Sequence, residues 1–344
     1  RLNLKTASRR PSSGIWITKS GGKPFFPVSI RIIMKKCTET DKGGGMSVMK
    51  VLVTGVAGQL GHDVMQELAK REIPAVGTDL KEGIPLDITD EKAVHQVLQK
   101  EKPTVILHCA AWTAVDLAEE EQNKKTVYAV NVTGTENLAK EAAALGARFV
   151  YISTDYVFNG EGTTPWKPDC TEYAPLNYYG QTKWQGEQMV KQYLSSYFIV
   201  RIAWVFGLNG GNFIKTMLKV GKNHDRLTVV KDQIGTPTYT KDLARLLVDM
   251  IQTEKYGIYH VTNEGGYISW YDFAVEIFRQ AAALDPAYDE EHLQVVPVTT
   301  EEYGVSKARR PFNSRLDRSK LVEQGFEPLP EWKDALARYI KEVM

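Results

Sequence analysis

Residues 49–61, MKVLVTGVAGQLG, join a short apolar run to three regularly spaced glycines in this 344-residue sequence. The Val-rich run 49–54 predicts a buried parallel strand. Gly55, Gly58 and Gly61 have the spacing G-x-x-G-x-x-G, which lets a backbone turn approach a pyrophosphate at a helix N-terminus. Because helical spacing follows directly, we interpret the segment as a dinucleotide-binding turn; a purely structural turn is the alternative.

Strand-like and helix-like segments alternate downstream of this turn. Strands are predicted at 75–79, 104–109, 148–153 and 198–203, and the helices between them at 94–101, 126–145 and 184–194. Such alternation predicts an α/β protein with a Rossmann-type doubly wound parallel sheet. Because the alternation weakens after residue 205, we predict a dinucleotide-binding domain at 49–205. Residues 206–344 are predicted to form mainly a smaller substrate-binding domain, with some segments returning to the sheet.

The first 48 residues differ in charge from the rest of the sequence. They carry ten Lys and Arg against two acidic side chains, whereas the remainder carries 33 basic and 40 acidic side chains. They lack an apolar core followed by a small-residue cleavage site, so they do not resemble a secretory signal. We expect a leader that arose from expression or upstream translation, or a disordered one, outside the fold. A nucleic-acid-binding arm and a targeting sequence are the alternatives.

Composition argues against several classes of function. The acidic body gives no reason to expect nucleic-acid binding. No apolar run approaches the roughly 20 residues that a membrane span needs, so no membrane partner is expected. Cys37, Cys109 and Cys170 are widely spaced, which predicts neither a disulfide framework nor a metal cluster. Reduced thiols favour a cytoplasmic location.

Asp79 ends the second predicted strand, 24 positions after Gly55. A carboxylate at this place accepts hydrogen bonds from the hydroxyls of an adenine ribose, which favours NADH over the 2′-phosphate of NADPH. A solvent-facing aspartate at a strand end is the alternative. Lys81 is close enough to keep NADPH open, so the sequence predicts NADPH or NADH.

The segment YGQTK, residues 179–183, indicates the chemistry. On a helix, Tyr179 and Lys183 lie one turn apart on the same face. A carbonyl reduction needs a proton donor, and we expect the Lys183 ammonium to lower the tyrosine pKa from about 10 toward the working range. Thr154 follows the strand 148–153, whose carboxyl end faces the ligand crevice of an open α/β sheet. We therefore predict Thr154, Tyr179 and Lys183 as the catalytic residues; for Thr154, a turn cap is the alternative.

These motifs together resemble the extended short-chain dehydrogenase/reductase superfamily and, within it, the dTDP-4-dehydrorhamnose reductase family. The resemblance covers residues 49–344, and its most discriminating stretches are STDYVFNG at 153–160, PLNYYGQTKWQGE at 175–187 and DQIGTPTYTKDLA at 232–244. It implies reduction of the 4-keto group of dTDP-4-dehydro-β-L-rhamnose to dTDP-L-rhamnose by NAD(P)H. That reaction is a step of dTDP-rhamnose biosynthesis for cell-surface polysaccharide.

The resemblance also implies roles for individual residues. In addition to the glycines, the cofactor would be contacted by Gln59, Leu60, Asp79, Asp87, Ile88, Ala111, Trp112, Thr113, Tyr179 and Lys183. The sugar nucleotide would be contacted by Thr154, Asp155 and Trp204, and more weakly by Asn212, Phe213, Gln233 and Arg315. Tyr179 would donate the proton, and Lys183 would orient both Tyr179 and the nicotinamide ribose. Core packing is the alternative for Trp204 and Phe213, and a surface ion pair for Arg315.

Some members of this family bind Mg²⁺ at a dimer interface through a glutamate two positions after the third glycine. That position is Asp63 in this sequence, and its side chain is shorter. We therefore predict no metal, although Mg²⁺ stays possible. We expect a monomer or a homodimer. The expected binding partner is a dTDP-sugar substrate.

Two other functions share much of this pattern. A nucleotide-sugar epimerase or dehydratase has the same fold, but a dehydratase favours an Asp-Glu pair after the triad threonine, where this sequence has Asp155-Tyr156. A non-catalytic NADP-binding regulatory subunit is the second alternative. The presence of Thr154, Tyr179 and Lys183 together favours a reductase.

Overall fold

The computed structural model describes residues 49–344, so the predicted leader at 1–48 lies outside the described residues. The strands are β1 Val51–Thr54, β2 Ala75–Asp79, β3 Ile84–Pro85, β4 Val105–His108, β5 Arg148–Thr154, β6 Tyr197–Ile202, β7 Val205–Phe206, β8 Arg226–Val230, β9 Ile234–Gly235, β10 Thr238–Tyr239, β11 Gly257–His260, β12 Ile268–Ser269 and β13 Gln294–Val298. The helices are α1 Gln59–Lys70, α2 Glu91–Glu101, α3 Val115–Ala118, α4 Glu121–Tyr128, α5 Gly134–Leu145, α6 Tyr178–Tyr193, α7 Phe213–Gly221, α8 Thr240–Met250, α9 Trp270–Ala282, α10 Thr300–Tyr303, α11 Ser319–Glu323 and α12 Trp332–Val343.

Seven parallel strands form the central sheet, in the order β11-β6-β5-β4-β1-β2-β3. The strand order reverses between β1 and β4, and ligands bind at such switch points outside the carboxyl ends of the strands. The register places Thr54 level with Thr78 and His108. This confirms the predicted α/β fold with a Rossmann-type sheet.

Alternate residues of β1 enter different cores, because successive side chains of a strand point to opposite faces. Val51 and Val53 pack in a cluster with residues of α1 and α8, whereas Leu52 packs in a cluster with residues of α2 and α5. Helices thus cover both faces, which explains the continuous apolar run at this strand. Residues after 205 contribute to this architecture, since β11 pairs with β6. The boundary predicted at residue 205 stays a prediction.

A separate cluster fills the space between α7, α9 and α12. Its fully or nearly fully buried members include Ile214, Phe273, Ile277, Leu336 and Tyr339. All buried members of this second core follow position 205 in the chain. Within residues 49–344, no helix combines the length and apolar character required to cross a membrane.

Three of the predicted helices differ in extent from the observed ones. The helix expected at 94–101 begins three residues earlier, at Glu91, because the Asp90 side chain caps it. The other two lie closer to the predicted catalytic residues. The helix expected at 184–194 begins six residues earlier, at Tyr178, because the Asn177 side chain caps it by accepting from the Gly180 N–H at 2.8 Å. The single helix expected at 126–145 is instead α4, a π-helical turn at Ala129–Thr133 and then α5. These last two differences affect the neighbourhood of the predicted catalytic residues.

Candidate active site

The glycine turn between β1 and α1 is tightly packed. Gly55 has a φ of +74°, and a Cβ there would lie 2.7 Å from the Ala110 nitrogen. A Cβ on Gly61 would lie 2.2 Å from the Gly55 oxygen. Gly58 is the N-cap of α1 and provides no side-chain acceptor for the first N–H groups of the helix. Those donors remain available to an anion, so the turn fits the diphosphate of a dinucleotide.

A cavity of about 650 Å³ opens at the carboxyl ends of the sheet strands. It brings together sixteen of the predicted site residues: Gly55, Gly58, Gln59, Leu60, Gly61, Asp79, Asp87, Ile88, Ala111, Trp112, Thr113, Thr154, Asp155, Tyr179, Lys183 and Trp204. These residues come from the ends of several different strands, as expected for a ligand crevice of a doubly wound sheet. The cavity is continuous from the glycine turn to the Tyr-Lys pair.

Asp79 connects the second strand to the glycine turn. Its Oδ2 accepts from the Ala57 N–H at 3.2 Å, and its Oδ1 accepts from the Lys81 N–H at 3.0 Å. The carboxylate therefore orders the turn as well as lining the cavity. Its predicted contact with an adenine ribose stays a prediction, and so does the choice between NADH and NADPH.

Thr154 and Tyr179 meet at the end of β5. The Thr154 hydroxyl donates to Asp155 Oδ1 at 2.9 Å, and its oxygen accepts from the Tyr156 N–H at 3.3 Å. The Tyr179 ring packs edge-on against the Tyr156 ring, with 5.6 Å between centroids. The Thr154 hydroxyl and the Tyr179 phenol thus lie in the same part of the cavity.

The charge state of Tyr179 differs from our expectation. We expected Lys183 to lower its pKa, but burial and then the Asp155 charge raise the pKa of Tyr179 above its ordinary value, while the Thr154 hydroxyl opposes them. The reason is local: Tyr179 stands among protein groups that disfavour a phenolate. At neutral pH Tyr179 is therefore a phenol, which is the form that donates a proton.

Lys183 is 3% exposed, and burial lowers its pKa to about 7, although the negative charge of Glu187 opposes the shift. Its Nζ lies 4.1 Å from the centroid of the Tyr151 ring. The side chain lines the cavity, so it is accessible to a ligand bound there. The lowered pKa brings the titration of Lys183 into the range around neutral pH.

Comparisons with known proteins agree with this geometry. The family described as the RmlD substrate binding domain matches residues 49–344. The spore coat polysaccharide biosynthesis protein SpsK of Bacillus subtilis (strain 168) is 39% identical over 293 residues, which cover 85% of this chain and 97% of that relative. A dTDP-4-dehydrorhamnose reductase of Clostridium acetobutylicum has a solved structure with 42% identity and a TM-score of 0.79, and the match covers 86% of this chain and 99% of that chain. This chain belongs to the dTDP-4-dehydrorhamnose reductase family. The structure of a Bacillus anthracis member in complex with NADP matches with 40% identity and a TM-score of 0.78, over 86% of this chain and 100% of that chain.

In this member of the dTDP-4-dehydrorhamnose reductase family, Asp155 offers a free acceptor to the cavity. The residue is 2% exposed, and its Oδ2 has no hydrogen-bond partner among the described residues. Burial raises its pKa to about 6, although nearby Ser314 and Thr154 hydroxyls oppose the shift. A buried carboxylate oxygen without a partner is costly, so a ligand hydroxyl that donated to it would be favoured.

Trp204 forms a wall of the same cavity. It has a φ of +50°, a left-handed conformation that costs a residue with a Cβ of order 1–3 kcal/mol. Its ring stacks on Trp270 with 3.7 Å between centroids. A Cβ at Gly235 would lie 2.9 Å from the ring, so the glycine leaves room for it. Strain and stacking together fix the orientation of this wall.

Four predicted substrate residues lie outside the cavity lining. Asn212 caps α7, and its Nδ2 donates to Gln59 Oε1 at 3.0 Å and to Tyr339 Oη at 2.8 Å. Phe213 packs against Trp270, with 4.6 Å between centroids. Gln233 Nε2 donates to Thr300 Oγ1 at 3.0 Å, and Arg315 Nη1 donates to Asn313 Oδ1 at 3.0 Å. In this structure the side chains of all four residues contact other protein groups. Their contacts with substrate stay predictions.

The sequence interpretation missed residues that support the site from behind. Asn131, in the π-helical turn, accepts from the Trp112 N–H at 2.8 Å and donates to Thr182 Oγ1 at 3.1 Å. It thereby links a predicted cofactor loop to α6. The π-helical turn has no local signature that would have revealed it.

A buried ion pair supports the strand and helix that carry the predicted triad. Glu187 and Arg201 both have fully buried side chains, and Arg201 Nε and Nη2 each donate to a different Glu187 oxygen at 2.8 Å. Ser153, which precedes Thr154, donates to Glu187 Oε1 at 2.6 Å. The one available signal was spacing, because Glu187 follows Lys183 by four residues on the same helix.

Asp63 is buried between α1 and α8. It is 2% exposed, and its Oδ2 accepts from the Thr240 hydroxyl. Within residues 49–344, no three His, Cys, Asp or Glu side chains converge as a metal site. The absence of a metal stays a prediction, and so does the choice between monomer and homodimer.

Proposed function

We propose that this chain reduces the 4-keto group of dTDP-4-dehydro-β-L-rhamnose to dTDP-L-rhamnose with NADPH or NADH. The observation that carries the proposal is the convergence of Thr154, Tyr179 and Lys183 with the glycine turn on one cavity, in a member of the dTDP-4-dehydrorhamnose reductase family. A cofactor seated on the turn and a sugar beside Tyr179 would lie in that same cavity.

The residues of the cavity divide the work of the reaction. When bound, NAD(P)H supplies the hydride that adds to C4 of the sugar. Tyr179 donates its phenolic proton to the carbonyl oxygen, which becomes the hydroxyl of the product. Its raised pKa keeps that proton in place at neutral pH until the oxygen becomes basic. Thr154 holds the same oxygen by a hydrogen bond and thereby fixes it beside the phenol.

Other groups hold the substrate and the cofactor. The unpartnered Oδ2 of Asp155 accepts from a sugar hydroxyl, and the stacked Trp204 ring covers a face of the sugar. Gly58, Gln59, Leu60 and Lys183 line the same cavity; the first three would hold the diphosphate at the start of α1, and Lys183 would hold the nicotinamide ribose.

The relatives support the cofactor and the wider role. The Bacillus anthracis member was solved in complex with NADP, which favours NADPH for this chain. The name of the Bacillus subtilis relative refers to spore coat polysaccharide biosynthesis, in keeping with a role in cell-surface polysaccharide. We place the reaction in the cytoplasm, because Cys109 and Cys170 are free thiols in the described structure.

The test is oxidation of NADPH by the full chain with the keto-sugar made in situ from dTDP-glucose by a dehydratase and an epimerase. We expect one dTDP-L-rhamnose, identified by mass and chromatography, for each NADPH consumed. Omission of the epimerase and the Tyr179→Phe variant are the controls. A non-catalytic regulatory subunit would bind NADPH without consuming it, and an epimerase or dehydratase would change the sugar without net NADPH loss; either result would overturn the proposal.

A further inference from the structure

Tyr151 lies directly against Lys183. It is on β5 with no solvent exposure, and its ring centroid is 4.1 Å from Lys183 Nζ. Its hydroxyl donates to the backbone oxygen of Lys183 at 3.3 Å. A Cβ at Gly186 would lie 2.2 Å from that hydroxyl oxygen, so the glycine allows the ring to approach this turn of α6. Ring and ammonium are thus held together by contacts on both elements.

The face of an aromatic ring attracts a cation that lies within about 6 Å of its centroid, most strongly where water is excluded. Lys183 meets both conditions, since it is 3% exposed and stands over a fully buried ring. An aliphatic side chain of similar size at position 151 would fill the space without this attraction. The ring therefore has an electrostatic effect that packing alone does not supply.

Other titratable groups face the same ammonium. Glu187 and Tyr179 lie one turn away on α6, and His108 and Cys109 lie at the end of β4. Glu187 is already paired with Arg201. Burial and the Lys183 charge lower the pKa of His108 to about 3, so it is neutral. Burial raises the pKa of Cys109 well above its ordinary value, so it is a neutral thiol. Tyr179 is a phenol for the reasons given above.

We propose that Tyr151 is a positioning residue: its ring holds the Lys183 ammonium in the cavity and stabilises its charge before the cofactor binds. The catalytic importance of this rests on the proposed function, because it requires Lys183 to serve the reduction. The contact itself does not depend on the reaction and is testable without cofactor or substrate.

The experiment measures the reactivity of Lys183 directly. The cofactor-free full chain is labelled with a trace of acetic anhydride between about pH 5 and pH 10, and acetylation at Lys183 is measured by mass spectrometry relative to Lys70, whose side chain is 77% exposed. The wild type should show a midpoint near pH 7, following the lowered pKa of Lys183. The Tyr151→Phe variant keeps the ring, so its labelling midpoint should lie within about 0.3 pH unit of the wild-type midpoint. Tyr151→Leu removes the ring and should lower the midpoint by on the order of one pH unit.

A second series guards against a misfolded leucine variant. Phenylalanines with one, two and three ring fluorines, introduced in place of Tyr151, keep the shape of the ring and progressively weaken its attraction for a cation. The labelling midpoint should fall stepwise along the series. A midpoint that is constant along the fluorinated series, or that rises in a folded Tyr151→Leu variant, would show that the ring only fills space and would overturn the proposal.

Turnover measurements separate this inference from the proposed function. With the keto-sugar and NADPH, the alkaline limb of the pH–rate profile should move with the labelling midpoint in each Tyr151 variant. If labelling shifts as expected in a chain that does not reduce the keto-sugar, the proposed function fails and the role of Tyr151 stands. If the chain is an active reductase whose labelling midpoint does not depend on the ring at position 151, the proposed function stands and the role of Tyr151 fails.

Discussion

Removal of the Glu187 charge tests how strongly the buried ion pair holds the active-site strand and helix together. Glu187→Gln keeps the size of the side chain but leaves the Arg201 guanidinium, which is fully buried, without a counter-charge. Two hydrogen bonds of 2.8 Å from Arg201 and one of 2.6 Å from Ser153 end on Glu187. Breaking a buried pair by removing one partner costs about 3–5 kcal/mol of unfolding free energy, because a buried charge is left uncompensated.

The pH of the measurement follows from the sign of the shift. Burial alone would raise the pKa of Glu187, but its bonds to Arg201, the Arg201 charge and Ser153 outweigh burial and lower it below the ordinary 4.5. The stabilisation is therefore fully present above about pH 4.5 and is lost as the pH falls through the lowered pKa. Urea unfolding at about pH 7.5, followed by tryptophan fluorescence and circular dichroism, measures the full effect.

Two controls isolate the cause. Glu121→Gln breaks an exposed pair with Lys124, whose ions are 2.7 Å apart, and should change the unfolding free energy by less than about 1 kcal/mol. The double variant Glu187→Gln/Arg201→Met removes both buried charges, and the methionine chain still packs against Phe158, 5.0 Å from the Arg201 carbon in the wild type. Its loss should be smaller than the sum of the two single losses by about 1–3 kcal/mol. A Glu187→Gln loss below about 1 kcal/mol, or strict additivity in the double variant, would refute the reasoning.

Four further predictions concern the cavity and the leader. Tyr179→Phe should lower turnover by about 10²–10⁴-fold with an unchanged thermal transition, whereas nearly isosteric Thr154→Val should lower it less; near-normal turnover in Tyr179→Phe would assign the proton to another group. Asp79→Asn keeps an acceptor for the glycine turn but removes the charge, so calorimetry should show a larger loss of NADH affinity than of NADPH affinity; equal losses would place Asp79 away from the ribose. Because the pKa of Asp155 is raised from 3.8 to about 6, its contribution to stability is fully present below about pH 3.8 and is lost as the pH rises through 6; in Asp155→Asn, unfolding measured across that window should lose this dependence. A chain that starts at Met49 should keep its thermal transition and its turnover, and aggregation of that truncated chain would show that residues 1–48 are needed.

The sequence predicted the sheet well because its strands are short, apolar and bounded by local turn signals. The strand at 75–79 has the predicted bounds, and the strand predicted at 148–153 ends one residue later, at Thr154. The start of α6 was placed six residues too late, because the capping contribution of Asn177 was not recognised. Patterns that repeat within a few residues were thus accessible, including the Tyr-Lys spacing and the glycine turn.

Contacts between distant residues were inaccessible by the same reasoning. Ser153 and Glu187 are 34 positions apart, and the side chain of Asn131 meets Trp112 across 19 positions. No spacing rule connects such pairs, since they depend on how two elements pack. The substrate contact of Asn212 rests on a motif match and stays a prediction; in this structure its amide donates to Gln59 Oε1 and Tyr339 Oη, partners that the motif did not reveal.

The charge of Tyr179 shows why such packing matters for chemistry. From the spacing alone, Lys183 was expected to lower the tyrosine pKa, but the ammonium lies on the Tyr151 ring, and burial and Asp155 dominate around the phenol. A phenol that keeps its proton suits the reductive direction, in which the enzyme gives a proton to a carbonyl oxygen. Oxidation of an alcohol would start from the phenolate, which the same surroundings leave scarcely populated at neutral pH. The packing around Tyr179 therefore sets the protonation state in which the enzyme meets its substrate, whereas the net direction of the reaction follows from the concentrations of the reactants.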